Sequence, residues 1–164
     1  MFSLWVGIDE DRSDLMNYDD NKVNFQKKRN TVVFIDAESV NASHCSSIVS
    51  QSKKAGEVAE MKYYARQKDP HTKAWKDAAK ENDIKPILMA GNPEHNKIDN
   101  KLIKDAKKIL RENKSIDVFC IASRDGDYTE LVNLLRENKK RVVILATKDT
   151  SQKLKASASE VKEI

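Results

Sequence analysis

The chain is poor in the features that small proteins use in place of a core. Two cysteines occur among 164 residues, Cys45 and Cys120, far apart and outside any Cys-x-x-Cys spacing. Their scarcity excludes a disulfide framework and a thiolate zinc site, and Cys120, inside an apolar run, reads as a core residue. No apolar stretch is long enough for a transmembrane helix. Residues 1–10 have no basic flank and reach Asp9 and Glu10 at once, so they read as neither signal peptide nor membrane span, and a cytoplasmic location is expected. Only four glycines are present, and no Walker loop or Ser-His-Asp signature appears. Internal repeats, low-complexity tracts and RRM or KH signatures are likewise missing. Charge of one sign does not dominate either. Thirty Lys and Arg face 26 Asp and Glu, a net +4 that permits a polyanionic partner without requiring one.

What the chain does have is alternation of short apolar runs with helical patterns, over a length that suits one domain with a real core. Val118-Phe-Cys-Ile-Ala-Ser-Arg-Asp-Gly-Asp-Tyr128 shows the unit most plainly: an apolar run reads as a strand buried on both faces, then breaks into Ser123, Asp125 and Asp127. Thr31-Val-Val-Phe-Ile35 is a similar strand ending in Asp36. Strands are also predicted at 58–65, 86–89 and 142–146, and helices at about 41–55, stopped by Gly56, from Pro70 through Ala79, from Ile98 to Leu110, and from Tyr128 to Glu137. Ser151 to Ala158 suits a last short helix. Gly91 to Asn96 reads as a loop. Together these predict an α/β fold, a parallel sheet of about five strands covered on both faces.

Residues 1–30 differ from the rest. Phe2, Leu4, Val6 and Ile8 alternate as in a strand, acidic residues follow from Asp9 to Asp20, and Lys27-Lys28-Arg29 closes the segment. It reads as an N-terminal extension with a possible hairpin at Asp19-Asp20-Asn21. Three readings stay open: a strand added to a sheet edge, a self-association surface giving a homo-oligomer, or a mobile segment.

A parallel sheet puts every strand's C-terminal end on one edge, where such folds bind ligands. Asp36 follows the first strand, Asp99 opens the helix after the third, and Asp125 and Asp127 follow the fourth. Crowded carboxylates raise one another's pKa unless a cation neutralises them, and magnesium or manganese is the natural cation for hard oxygen donors. A pair of such ions roughly 4 Å apart activates water and stabilises the leaving oxygen in phosphodiester hydrolysis. Each carboxylate alone has a plainer reading. Asp36 suits a turn or cap, Asp99 in a first helical turn favours the helix dipole, and Ser123 is as readily a turn hydroxyl as a partner of a metal ligand.

The motifs Phe34-Ile-Asp36-Ala-Glu38, Lys97-Ile-Asp99 with Asp105 beyond it, and Ser123-Arg-Asp125-Gly-Asp127-Tyr128 resemble the NYN domain, a branch of the PIN-like metal-dependent ribonucleases that includes the LabA-like proteins. The resemblance covers residues 31–164. It implies a PIN-like three-layer α/β/α sandwich with a mainly parallel sheet, and a ribonuclease, endonucleolytic in action, with Asp36, Asp99, Asp125 and Asp127 as catalytic, metal-binding residues. Mg2+ or Mn2+ is the implied cofactor and RNA, single-stranded, the implied partner. The family often has Asn three positions after the first Asp, where this chain has Ser39, with Asn41 two residues later. Asp105 lies about 120° round the helix from Asp99, so the two are not expected to share an ion.

Further substrate-binding candidates are Arg66, Lys68, His95 and Lys97 along a groove, and Tyr64 and Tyr128 as stacking platforms for bases. Two other functions stand beside the nuclease. One is a catalytically weak NYN domain acting as an RNA-binding or regulatory module. The other is a haloacid-dehalogenase-type phosphatase, which needs Asp-x-Asp where this chain has Asp36-Ala-Glu38.

Overall fold

The computed structural model describes residues 29–91 and 97–164. The expectations placed on the N-terminal extension and on His95 lie outside the described residues, although Asn30 already belongs to the first strand. In chain order the elements are β1 (Asn30–Asp36), α1 (Cys45–Ala55), β2 (Glu57–Arg66), α2 (Pro70–Lys80), β3 (Lys85–Met89), α3 (Ile98–Glu112), β4 (Val118–Ala122), α4 (Thr129–Glu137), β5 (Arg141–Ala146), α5 (Gln152–Ser157) and β6 (Glu160–Glu163). All neighbouring strands pair in parallel, in the order β3-β2-β1-β4-β5-β6.

Side chains alternate across the central strands and build two cores. Val32 and Phe34 of β1, Phe119 and Ile121 of β4, and Val142 and Ile144 of β5 meet Ile98, Leu102 and Ala106 of α3 and Leu131 and Leu135 of α4. Val33, Ile35, Cys120, Val143 and Leu145 face the other way, onto Ile48 of α1 and Trp75 and Ala79 of α2. Burial on both faces is why these strands read as continuous apolar runs. It also pushes the Cys120 thiol up to about 12, leaving it an inert core group.

Local chemistry sets the boundaries. Pro70 takes the first turn of α2 behind Asp69, whose side chain accepts from the His71 amide at 2.8 Å. Gly56 ends α1 because the chain crowds there: a Cβ at this position would lie 2.3 Å from the Arg29 carbonyl oxygen. The first helical stretch is split into a 3-10 turn, Ala42–His44, and α1, and Asn41 caps the turn by accepting from the Ser43 amide at 2.8 Å.

The sheet has one strand more than expected. Residues Glu160–Glu163 carry Glu, Val, Lys and Glu on an edge, half-exposed, so the apolar signal of a strand is missing. Arg141 of β5 holds β6 through an ion pair with Glu160. Among the described residues, no helix is long and apolar enough to cross a membrane.

Candidate functional site

The strand order reverses between β1 and β4, which run side by side although the chain visits β2 and β3 between them. Crevices outside the carboxyl ends of strands form at such switch points. In this protein the turn after β1 is Asp36-Ala37-Glu38-Ser39, not a glycine-rich phosphate loop, so the crevice is acidic.

Asp36 is the last residue of β1 and is only 5% exposed. Its Oδ2 accepts from the Ser123 hydroxyl at 2.9 Å and from Ser39 at 3.1 Å, and its Oδ1 accepts from the Glu38 amide at 3.2 Å. Burial raises its pKa, against the opposing pull of these hydrogen bonds. The two serines also tie the loops together. Ser123 Oγ accepts from the Asp125 amide at 3.0 Å, and Ser39 Oγ from the Arg124 amide at 3.1 Å. Ser39 therefore joins the turn after β1 to the turn after β4.

The sequence brings four aspartates to this edge; the structure gathers three of them tightly. One carboxylate oxygen each from Asp99, Asp125 and Asp127 lie within 4.8 Å of one another. Asp99 sits in the first turn of α3 and Asp125 caps the 3-10 turn Gly126–Tyr128, accepting from the Asp127 amide at 2.9 Å. Asp36 is not one of these three. It lines, with Glu38, Arg66, Lys97, Ile98, Asp99, Asp125 and Tyr128, a cavity of about 210 Å³.

The other candidates divide. Lys97 is exposed at the cavity rim, and the Arg66 guanidinium lies 3.9 Å from Glu38. Asn41 is engaged as a helix cap and lines a neighbouring cavity of about 600 Å³. Neither Asp105 nor Asp127 lines this cavity. Tyr64 Oη donates to the Asp105 carboxylate at 2.7 Å and Lys101 Nζ at 3.0 Å, so both of its oxygens are engaged. Base stacking on Tyr64 and Tyr128 is corrected as well, since both are fully buried and present no ring to a ligand. Apolar packing in the first core takes both rings.

Tyr128 keeps a different relation to the site. Its hydroxyl is buried at the cavity without a hydrogen bond of good geometry to a protein group, and burial followed by the charges of Asp36, Asp99 and Asp125 raises its pKa, so it stays protonated. Glu38 is the residue that sequence reasoning passed over. It lines the cavity, and burial, then Asp36, raises its pKa. The signal was its place two residues beyond Asp36 in the same exit turn.

Three converging hard oxygen donors and an orphaned buried hydroxyl fit a divalent cation with attendant water. They define the class: a doubly wound α/β domain with an acidic crevice at its switch point. The NYN domain family model matches residues 30–164, and the chain belongs to that family, which has a nuclease-like fold. A crystal structure of a Vibrio parahaemolyticus protein of unknown function shares the fold at a TM-score of 0.69 and 19% identity, over 87% of this chain and 96% of that one. No curated protein matches the chain.

Proposed function

We propose that the protein is a ribonuclease that uses magnesium or manganese to hydrolyse phosphodiester bonds within single-stranded RNA. The observation that carries this reading is the convergence of Asp99, Asp125 and Asp127 within 4.8 Å in the switch-point crevice of an NYN domain. A hard divalent cation held by these three carboxylates would supply Lewis-acid activation of water and neutralise charge on the phosphate.

The chain's own groups divide the remaining work. Asp36 Oδ2 accepts from two serine hydroxyls and Oδ1 from the Glu38 amide, and the residue lines the cavity as a further carboxylate. Its raised pKa suits a group that accepts a proton from the attacking water. Tyr128 Oη, kept protonated by burial beside Asp36, Asp99 and Asp125, is a donor for a water or a phosphate oxygen. Arg66 and Lys97 offset the carboxylates where the scissile phosphate would lie.

The test is cleavage of end-labelled single-stranded RNA by the wild type and Asp125→Asn in magnesium, manganese or EDTA. Metal-dependent internal cuts, lost in the variant, are expected. The position of Asp36 favours one other reading, a silent RNA-binding module, because its Oδ2 is already engaged and it stands outside the tight trio. RNA binding by folded protein without cleavage in either metal would select that module.

A further inference from the structure

At the opposite edge of the sheet, where β1, β4 and β5 begin, lies a second cavity of about 620 Å³. Its lining is cationic: Arg29, Arg136, Lys139, Lys140 and Arg141, with Asp117 and Ser159. Part of this charge serves the fold. Lys140 Nζ donates to the Ile116 carbonyl at 2.7 Å, Arg136 to the Ser157 carbonyl at 2.9 Å, and Arg141 pairs with Glu160. Cations near helix C-termini are favoured on electrostatic grounds alone.

Two of the five make no such side-chain contact, although Lys139 also follows the C-terminus of α4. The side chains of Arg29 and Lys139 have no partner among the described residues. Lys139 also holds a left-handed backbone, φ 64°, just past the end of α4, where glycine is the easier residue. The one carboxylate in the lining is already spoken for, as Asp117 accepts from the Asn30 amide at 3.2 Å. Counting Asp117 and Glu160 against the cations still leaves a surplus of three positive charges.

We propose that this groove binds the phosphate backbone of RNA, as an anchor separate from the place of cleavage. The ligand assignment rests on the ribonuclease reading above. Among the described residues the groove's walls are Arg, Lys, Asp and Ser, with no apolar side chain to receive a peptide residue and no aromatic ring to stack on a base. Such a surface holds phosphates independently of sequence. The seven residues of β1 separate it from the crevice, about 20 Å at strand rise. In the crevice Arg66 and Lys97 are set among four carboxylates, whereas the groove carries a surplus of positive charge, so it adds attraction for a polyanion away from the place of cleavage. An anchored strand then presents its next segment to the crevice at raised local concentration.

The test is fluorescence anisotropy of labelled single-stranded RNA with the full chain in EDTA, across a salt series. It compares the wild type with the Arg29→Glu/Lys139→Glu double variant and with Lys139→Gly, which relieves the left-handed backbone and so is not expected to unfold the protein. The double variant is expected to bind at least about tenfold more weakly, with the slope of log affinity against log salt lowered by about 1.4, for RNAs of any sequence. Lys139→Gly should lose about half of that slope. Unchanged affinity and slope in both variants would overturn the anchor. If polyglutamate of matched charge binds as tightly as RNA and is lost in the same variants, the RNA assignment falls in favour of an acidic protein partner. Because cleavage is not read here, binding lost in the variants alongside wild-type protein that never cuts RNA refutes the nuclease and leaves the anchor standing.

Discussion

Replacing Asp125 by asparagine is expected to stabilise the metal-free protein and to remove most of its response to metal. Oxygens of Asp99, Asp125 and Asp127 come within 4.8 Å of one another, and Asp125 takes part in two of the three repulsive pairs. At that spacing each pair costs about 0.9 kcal/mol in a water-like dielectric, less in salt. The carboxylates can also turn apart, so the relief in the variant is on the order of 1 kcal/mol. The capping function survives, because asparagine Oδ1 can accept from the Asp127 amide as Asp125 Oδ1 does at 2.9 Å, and the two residues cap equally well. A domain of this size should gain about 3 °C in Tm. Manganese stabilises the wild type by more. At a hundred times its Kd a ligand adds about 2.7 kcal/mol, or roughly 8 °C here. Thermal melts followed by circular dichroism should therefore change order: the variant melts above the wild type in EDTA and below it in manganese. A variant that melts below the wild type in EDTA, or that keeps the full manganese shift, refutes the reasoning.

Other consequences follow from the same structure. Tyr64→Phe removes a 2.7 Å hydrogen bond to Asp105 but leaves that carboxylate with Lys101, so urea unfolding should show a loss of about 2 kcal/mol with RNA cleavage unchanged. Lys139→Gly should be about 0.5–1 kcal/mol more stable than the wild type, since it relieves a left-handed lysine while giving the unfolded chain more freedom. Glu160 has its pKa lowered from the ordinary 4.5, first by the Arg141 hydrogen bond. A carboxylate held low in the folded state stabilises above its unfolded pKa and loses that contribution as pH falls below 4.5 through the lowered value. Amide exchange in β6 should therefore speed up in that acid range, and Glu160→Gln should abolish the change.

Much of the layered fold was legible because both faces of β1, β4 and β5 are covered, so each strand stands out as an uninterrupted apolar run. β6 was not, because an edge strand of Glu160, Val161, Lys162 and Glu163 needs no such run; its place is set by Arg141 and by pairing with β5. The acidic edge could be placed from strand ends alone, but side-chain direction could not. Periodicity puts Asp36 at the same edge as Asp99 and does not reveal that the Ser39 and Ser123 hydroxyls engage one of its oxygens. Tyr128 adjoins an exposed aspartate in sequence, yet the 3-10 turn swings its ring into the core. Asp105 and Tyr64, forty-one residues apart, needed the packing of α3 on β2 to be seen as partners. The basic groove draws on Arg29 just before β1, Arg136 of α4, Lys139 and Lys140 in the turn after it, and Arg141 of β5, which look like ordinary solvated surface in the sequence.

The measurement that tests the central claim most directly is the chemistry of the cut ends. RNA carrying a single 2′-deoxy sugar at the cleaved nucleotide is incubated with the protein in manganese, and the products are analysed by mass. Water activated in the acidic crevice does not need the 2′-hydroxyl, so the account predicts that the modified strand is still cut, leaving a 5′-phosphate and a 3′-hydroxyl. Cleavage that stops at the deoxy sugar, or products ending in a 2′,3′-cyclic phosphate, would contradict it.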